Sequence, residues 1–326
     1  MNPRRRLLLA LAASSLPLGA LAQQRQVPVI GYMSPVVPQN NTDWRYEAFV
    51  RGMRDLGYID GQNMRLIVRW GEGKLERMPG IAQELVKMKV DIIVAASSPS
   101  VLAARDATRT IPIVMPVSSD PVGDGLVRSL AHPGGNITGI SLMAPELGAK
   151  RLQLLKEVLK KSQNVAVMWN PAYSGMRARF DEAKKAAPAV GMQVRSLEVS
   201  DPRQMEAAFD AVSRDKPDGL LLLADPLTNS MRARIVEFAR ENKLPAIYET
   251  REFVDAGGLM SYGPNVSDNY RRAAYYVDRI LKGAKTADMP IEQPAKIDLL
   301  VNLKTARELG VTIPTSILQT ADQVIQ

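Results

Sequence analysis

Residues 91–100, DIIVAASSPS, decide the fold class of this chain. The run Ile-Ile-Val at 92–94 is uninterrupted and aliphatic, which is typical of a strand in a parallel sheet that helices cover on both faces. Ser98-Pro99 follows directly, and a hydroxyl before a proline favours the start of a helix. The segment therefore predicts a buried strand that leads straight into a helix.

The same alternation extends over almost the whole chain. Short β-branched or aliphatic runs predict strands at 27–33, 64–70, 91–96, 113–117, 136–142, 164–169, 193–199, 219–224, 245–248, 258–261 and 297–303. Apolar residues at helical spacing predict helices at 44–56, 78–88, 123–130, 145–160, 175–189, 204–214, 229–242 and 269–281. Helix caps of an acceptor before a proline are predicted at Asp120-Pro121, Asp201-Pro202 and Asp225-Pro226. This order is typical of a doubly wound parallel sheet in an α/β protein.

The length of the chain indicates two lobes, because about 300 residues exceed what one hydrophobic core usually takes. The strands fall into two successive series of similar plan, with a junction near residues 141–145. We expect an N-terminal lobe of residues 27–141 plus 264–288, and a C-terminal lobe of residues 142–263 plus 289–326. The later segments return because a helix at 269–281 follows a strand that could cross back to the first lobe.

The first 22 residues predict where in the cell the protein is located. Arg4 to Arg6 form a basic region, residues 7–18 are apolar, and Ala20-Leu21-Ala22 has the pattern of a signal-peptide cleavage site. A retained membrane anchor is the weaker alternative, because the apolar run is too short to span a bilayer. Cleavage after Ala22 would release the protein into the periplasm. Without cysteine, it would carry no lipid at the cleavage site and no disulfide.

The composition argues against several classes of protein. The formal net charge is +8, but no dense Lys/Arg block occurs, so we expect no nucleic-acid partner. His132 is the single histidine and lies in a predicted turn, which disfavours Ser-His-Asp and Cys-His catalysis and a histidine-rich metal site. Neither a phosphate-binding loop nor a dinucleotide-binding glycine motif is present, so we expect no cofactor and no metal.

Polar and aromatic side chains collect at the predicted carboxyl ends of the strands, where ligands bind in open α/β sheets. The aromatic residues are Tyr32, Trp70, Trp169, Tyr173, Tyr248 and Tyr262. The hydroxyl residues are Ser34, Ser97, Ser98, Ser100, Ser118, Ser119, Ser174 and Thr228. Each ring alone fits core packing as well as ligand contact, but together they indicate a pocket of rings and hydrogen-bond donors. Helix N-terminal amides in the turn at 97–100 would favour a carboxylate there.

Three carboxylates also follow predicted strands. Asp120 and Asp225 precede prolines and are readily explained as helix caps. Glu249 ends a buried strand without such an explanation, and is either solvated or directed into a cleft. An exported α/β hydrolase that uses these carboxylates is therefore an alternative.

Several long blocks of the chain closely resemble one family, the exported substrate-binding proteins of ABC transporters, whose characterised members include tryptophan or tyrosine binders. The blocks are IPIV at 111–114, DPVGDGLV at 120–127, PGGNITG at 133–139, LPAIY at 244–248, GGLMSYG at 257–263 and VNLKTA at 301–306. The resemblance implies a type I periplasmic-binding-protein fold, in which two parallel-sheet lobes close about a hinge on a small molecule. It also implies a monomer that serves a membrane permease with a separate ATPase.

The resemblance places the ligand-binding residues in the loops after the strands. They are Ser34, Ser97, Ser98, Ser100, Ser118, Asp120, Asn170, Tyr173, Asp225, Tyr248 and Glu249. We expect the amides at 97–100 to take a carboxylate, and Asp225 or Glu249 to meet an ammonium group. The expected ligand is an amino acid or a small aromatic or branched carboxylate.

Two further alternatives share the architecture. A ligand sensor for a membrane receptor would use the same lobes. A sugar-sensing transcription regulator would need a DNA-binding helix-turn-helix where the leader stands.

Overall fold

The computed structural model describes residues 27–38, 43–118, 120–142, 146–159, 164–173, 175–294 and 296–326. The predicted signal peptide, with its cleavage site after Ala22, lies outside the described residues, as do Ser119 and Ser174. The described chain forms two α/β lobes, each built on its own sheet.

The N-terminal lobe contains a five-stranded sheet in the order β2-β1-β3-β4-β5, with every neighbouring pair parallel. Its strands are β1 (Val29–Ser34), β2 (Arg65–Trp70), β3 (Ile92–Ala95), β4 (Ile113–Met115) and β5 (Ile137–Gly139). Its helices are α1 (Trp44–Asp55), α2 (Met78–Lys87) and α3 (Ser98–Ala107), with a 3-10 turn at Leu75–Arg77.

The C-terminal lobe contains a seven-stranded sheet in the order β12-β11-β10-β9-β8-β6-β7. Its strands are β6 (Asn164–Trp169), β7 (Gln193–Glu198), β8 (Gly219–Leu222), β9 (Ala246–Tyr248), β10 (Met260–Pro264), β11 (Ile297–Asn302) and β12 (Gln323–Ile325). The helices from this part of the chain are α4 (Glu146–Leu159), α5 (Met176–Ala186), α6 (Gln204–Asp215), α7 (Pro226–Ser230), α8 (Arg232–Glu241), α9 (Arg251–Asp255), α10 (Val266–Leu281), α11 (Leu303–Leu309) and α12 (Thr315–Thr320). Further 3-10 turns lie at Ala187–Val190 and Thr286–Asp288.

Strand β11 departs from a purely parallel plan, because it pairs antiparallel with β10, Ser261 facing Leu300. The predicted strand 297–303 thus joins the second sheet, and α11 and the edge strand β12 follow it. The sequence pattern did not predict α11, α12 or β12.

The central strand β3 shows why the aliphatic run decides the fold. Ile92 and Val94 pack on one face of the sheet with residues of α1 and α10, and Ile93 packs on the other face with residues of α2 and α3. All three side chains are buried. Burial of each contributes about 1.5–3 kcal/mol, so a strand without polar positions is stable only between two helical layers.

Helix α10 packs along α1 in the N-terminal lobe. The close approach depends on Gly52 of α1, because a Cβ there would lie 2.6 Å from the carbonyl oxygen of Arg271. The chain therefore passes from β10 of the C-terminal lobe to a helix of the N-terminal lobe before it returns at β11.

Some local predictions were wrong. No helix forms at 123–130, where the chain makes turns instead: the Asp120 carboxylate accepts a hydrogen bond from the Gly123 amide, and Gly125 has φ of 63°. Asp201 also closes a turn, on the Arg203 amide, and α6 begins after it. The cap of α3 is Ser97 rather than Ser98.

Among the described residues, none of the helices combines the length and the hydrophobicity that a membrane span requires.

Candidate ligand-binding site

A cavity of about 120 Å³ lies between the two lobes, at the carboxyl ends of their strands. The N-terminal lobe lines it with loops after β1, β3 and β4 and with the start of α1. The C-terminal lobe lines it with loops after β6, β8 and β9 and with side chains of α4, α5 and α9. Tyr270 of α10 completes the wall.

The turn that leads into α3 forms one side of the cavity, but its donors already have partners. Ser97 Oγ accepts the Ser100 amide at 3.3 Å and lies 2.8 Å from Ser100 Oγ. Ser100 Oγ in turn donates to Met78 Sδ, so Ser100 faces the core and does not line the cavity. Ser97 and Ser98 do line it. The internal bonds leave few amides of this turn for a carboxylate.

Tyr173 of the C-terminal lobe lies next to the N-terminal lobe at this point. Its phenol, in the loop after β6, is close enough to Ser98 at the start of α3 for that residue to lower its pKa. Burial raises the pKa of Tyr173 well above its usual range, and the nearby Asp225 carboxylate adds to the shift, so the phenol stays protonated at neutral pH. Tyr173 therefore places a polar group of the C-terminal lobe beside the start of α3 in the N-terminal lobe.

Asp225 is the N-cap of α7, and the hydrogen bonds that it accepts occupy both carboxylate oxygens. Oδ1 accepts from the Thr228 amide at 2.8 Å and from Thr228 Oγ1 at 2.7 Å, while Oδ2 accepts from Asn170 Nδ2 at 2.5 Å. Burial raises the pKa of Asp225, and these hydrogen bonds oppose the rise. Asn170 is committed to this network and does not line the cavity.

Glu249 is held by two arginines. Its Oε1 lies 2.7 Å from Arg151 Nη1, and its Oε2 pairs with Arg179 and accepts the Ala224 amide at 2.7 Å. Burial alone would raise the pKa of Glu249, but Arg179, Arg151 and the amide lower it overall. Burial lowers the pKa of Arg151 to about 10, so both partners remain charged at neutral pH. The cluster carries one excess positive charge.

The other sequence-predicted residues separate into two groups. Ser118 and Asp120 line the cavity. Ser34 is buried and lies outside the cavity lining, with its Oγ 3.5 Å from the Val36 amide. Tyr248 also lies outside it, because its ring stacks on Phe253 in the core with centroids 4.8 Å apart.

Several cavity residues were missed by sequence reasoning. They are Trp44, Arg45, Arg151, Arg179, Thr250, Glu252 and Tyr270. The only local signal was for Trp44 and Arg45, which stand at the start of a helix that follows the first strand. Thr250 is the residue before α9, and the others sit on helix faces that the pattern marks simply as polar or as core.

Three buried polar atoms of the cavity wall have no hydrogen-bond partner among the described residues. They are Ser118 Oγ, Thr250 Oγ1 and Glu252 Oε2. An unpartnered buried polar group costs about 1–3 kcal/mol, so such groups are rare unless something binds them. Their convergence on one cavity indicates a site for a polar ligand.

Comparison with known proteins gives relatives that bind amino acids. A tyrosine-binding protein from Clostridioides difficile (strain R20291) is 28% identical over 278 residues, which cover 85% of this chain and 79% of the relative. The solved ABC domain from Streptococcus pneumoniae in complex with L-Trp is 26% identical, with a TM-score of 0.84, covering 91% of this chain and 99% of that one. A ligand-free, open substrate-binding protein with adhesive properties from Clostridium difficile is 28% identical, with a TM-score of 0.67, covering 92% and 100%.

The two lobes form the fold of type I periplasmic binding proteins. The family model described as ABC transporter substrate binding protein matches residues 33–325, which is nearly all of the described chain. This chain belongs to the family of ABC transporter substrate-binding proteins.

Proposed function

We propose that this protein is the exported solute-binding component of an ABC importer, which captures an amino acid with an aromatic or branched apolar side chain and delivers it to a membrane permease. The observation that carries the proposal is the interlobe cavity, in which unpartnered polar atoms of both lobes meet aromatic and aliphatic walls. The likeness to tyrosine- and tryptophan-binding relatives supports an amino-acid ligand.

The apolar part of the wall fits the side chain of such a ligand. Trp44 and Tyr270 meet edge to face, with ring centroids 6.3 Å apart, and Val117 and Leu142 line the cavity beside them. Rings and branched aliphatic groups bind favourably to such walls because apolar surface leaves water.

Closure of the lobes is the proposed working step. At similar identity and coverage, this structure superposes much better on the L-Trp complex than on the ligand-free, open relative, with TM-scores of 0.84 and 0.67. The proximity of Tyr173 in the C-terminal lobe to Ser98 in the N-terminal lobe supports a closed arrangement. A ligand that contacts both lobes shifts the population toward this state.

The alternative of a hydrolase finds less support in the site. It would use Asp225 or Glu249 as general acid or base, yet Asp225 caps a helix and Glu249 is paired with two arginines. The matched family and relatives are ligand-binding transport proteins.

A thermal-shift screen on mature protein, stripped of bound ligand by unfolding and refolding, tests the proposal. A ligand at about 100 times its dissociation constant stabilises by about 2.7 kcal/mol. We expect aromatic or branched amino acids to raise the melting temperature, and mass spectrometry to recover them unchanged. Stabilisation by sugars alone, or conversion of the ligand into product, would overturn the proposal. N-terminal sequencing of the periplasmic protein tests export, with Gln23 as the expected first residue.

A further inference from the structure

Two oppositely charged side chains face the cavity from different lobes. Arg45, at the start of α1, lines the wall from the N-terminal lobe, and Glu252 of α9 lines it from the C-terminal lobe. They do not form an ion pair with each other, since no nitrogen of Arg45 lies within 4.0 Å of a Glu252 oxygen. A ligand that carries both a positive and a negative charge can bind in the gap between these two side chains.

The guanidinium of Arg45 is held in place without being neutralised by Glu252. Nη1 bonds Asp43 Oδ2 at 3.0 Å, and the group lies over the Trp44 ring, 4.3 Å from its centroid. Burial would lower the pKa of Arg45, but Asp43, Tyr270 and Glu252 raise it overall. Glu252 is therefore close enough to interact electrostatically with Arg45. An arginine anchored in this way presents its remaining donors in a fixed plane, which suits a carboxylate.

Glu252 supplies the negative charge from the C-terminal lobe. Glu252 Oε2 is buried and has no hydrogen-bond partner among the described residues. Asp225 and Glu249, the other buried carboxylates of the wall, are already saturated by protein donors. Glu252 therefore has an oxygen available for a ligand ammonium.

A hydroxyl accompanies each charge. Ser118, in the N-terminal lobe with Arg45, is 1% exposed and has no partner for its Oγ among the described residues. Thr250 lies two residues before Glu252 in the C-terminal lobe and also has a buried Oγ1 without a partner there. Arg45 and Ser118 thus line the cavity from the N-terminal lobe, and Glu252 and Thr250 line it from the C-terminal lobe.

We infer that the site binds a zwitterionic α-amino acid in one orientation, with its carboxylate on Arg45 and Ser118 of the N-terminal lobe and its α-ammonium on Glu252 and Thr250 of the C-terminal lobe. This inference rests on the proposed function and deepens it. The ligand itself then bridges the lobes, so both of its charges are needed for tight binding in the closed state.

Isothermal titration of the stripped mature protein with two ligand series tests the assignment. One series is L-tyrosine, 3-(4-hydroxyphenyl)propionate and tyramine; the other is L-leucine, 4-methylpentanoate and isoamylamine. We expect loss of either ligand charge to weaken binding by about 10- to 100-fold, because it removes a hydrogen bond to a charged group of the protein. This comparison uses the unaltered protein and does not depend on the folding of a variant.

Variants then separate the two ends of the ligand. Glu252→Gln should weaken the amino acid by about 10-fold or more and leave the deaminated acid within about 3-fold, while Arg45→Met should weaken the amino acid and spare the amine. Asp255→Asn on α9 and Arg54→Met on α1, both exposed, are the matched controls and should change nothing.

The outcomes distinguish this inference from the function on which it rests. If the protein binds an amino acid but Glu252→Gln and Arg45→Met bind it as well as the controls do, or if the analogues bind equally well, the inference is overturned and the function stands. If neither amino acid binds and sugars do, the proposed function fails.

Discussion

Replacement of Glu249 by glutamine should destabilise this protein far more than the loss of a typical salt bridge. The side chain of Glu249 is 3% exposed and that of its partner Arg151 is 5% exposed. Glu249→Gln keeps the size of the side chain but leaves Arg151 and Arg179 facing each other without a carboxylate. Breaking a buried ion pair in this way costs about 3–5 kcal/mol, because one charge stays buried and unpaired.

Urea unfolding followed by circular dichroism at pH 7 measures this effect. The matched control is Glu206→Gln, which breaks the exposed pair with Arg234, whose side chains are 66% and 42% exposed. Exposed pairs contribute about 0–1 kcal/mol, so the control should shift the midpoint little. A loss for Glu249→Gln no larger than that of the control would refute the reasoning that the arginine pair depends on this carboxylate.

Three further predictions concern pH, closure and backbone geometry. Because the folded pKa of Glu249 lies below its ordinary value of 4.5, its stabilising contribution is fully present above about pH 4.5 and is lost as the pH falls through the folded value. The stability difference between wild type and Glu249→Gln should therefore narrow on acidification, and a constant difference from pH 7 to pH 3 would contradict this. Tyr173→Phe removes the phenol hydroxyl that lies near Ser98 of the other lobe, so ligand dissociation constants from titration calorimetry should rise about 2- to 10-fold, and unchanged values would contradict a role in closure. Gly139→Ala places a Cβ 2.1 Å from a backbone oxygen at φ of 138° and should cost more than about 3 kcal/mol in urea unfolding, whereas Gly283→Ala, at φ of 95° with open space, should cost about 1–2 kcal/mol; equal losses would reject the steric argument.

The alternation of apolar strands and amphipathic helices was sufficient to predict the α/β class and the two lobes. The spacing of apolar residues along a segment follows which positions are buried. Uninterrupted apolar runs such as 92–94 and 220–223 are stable as strands only between helical layers. The same logic predicted the ligand site at the strand ends, where the interlobe cavity lies, because parallel strands bring their carboxyl ends to one edge. It failed at 123–130, where Gly125 and the Asp120 side chain favour turns over the helix that the apolar spacing suggests.

Several of the hydrogen-bond and ion-pair partners of the carboxylates in the candidate site come from residues that are distant in the sequence, so local sequence patterns do not reveal them. The sequence predicted Asp225 as a helix cap, and Thr228 and Asn170 satisfy its carboxylate. It left Glu249 either solvated or directed into a cleft, and arginines from α4 and α5 satisfy that carboxylate instead.

The sequence by itself therefore determined the α/β class, the two-lobed plan and the edge at which the cavity lies, because these depend on hydrophobic spacing along short segments. Only the tertiary structure decided which polar groups remain unpartnered in the cavity. Arg45 and Glu252 are separated by about two hundred residues, and they line the same cavity because the lobes that carry α1 and α9 face each other across it. A side chain's availability for a ligand depends on every neighbour that packs against it, and those neighbours are fixed only when the lobes come together.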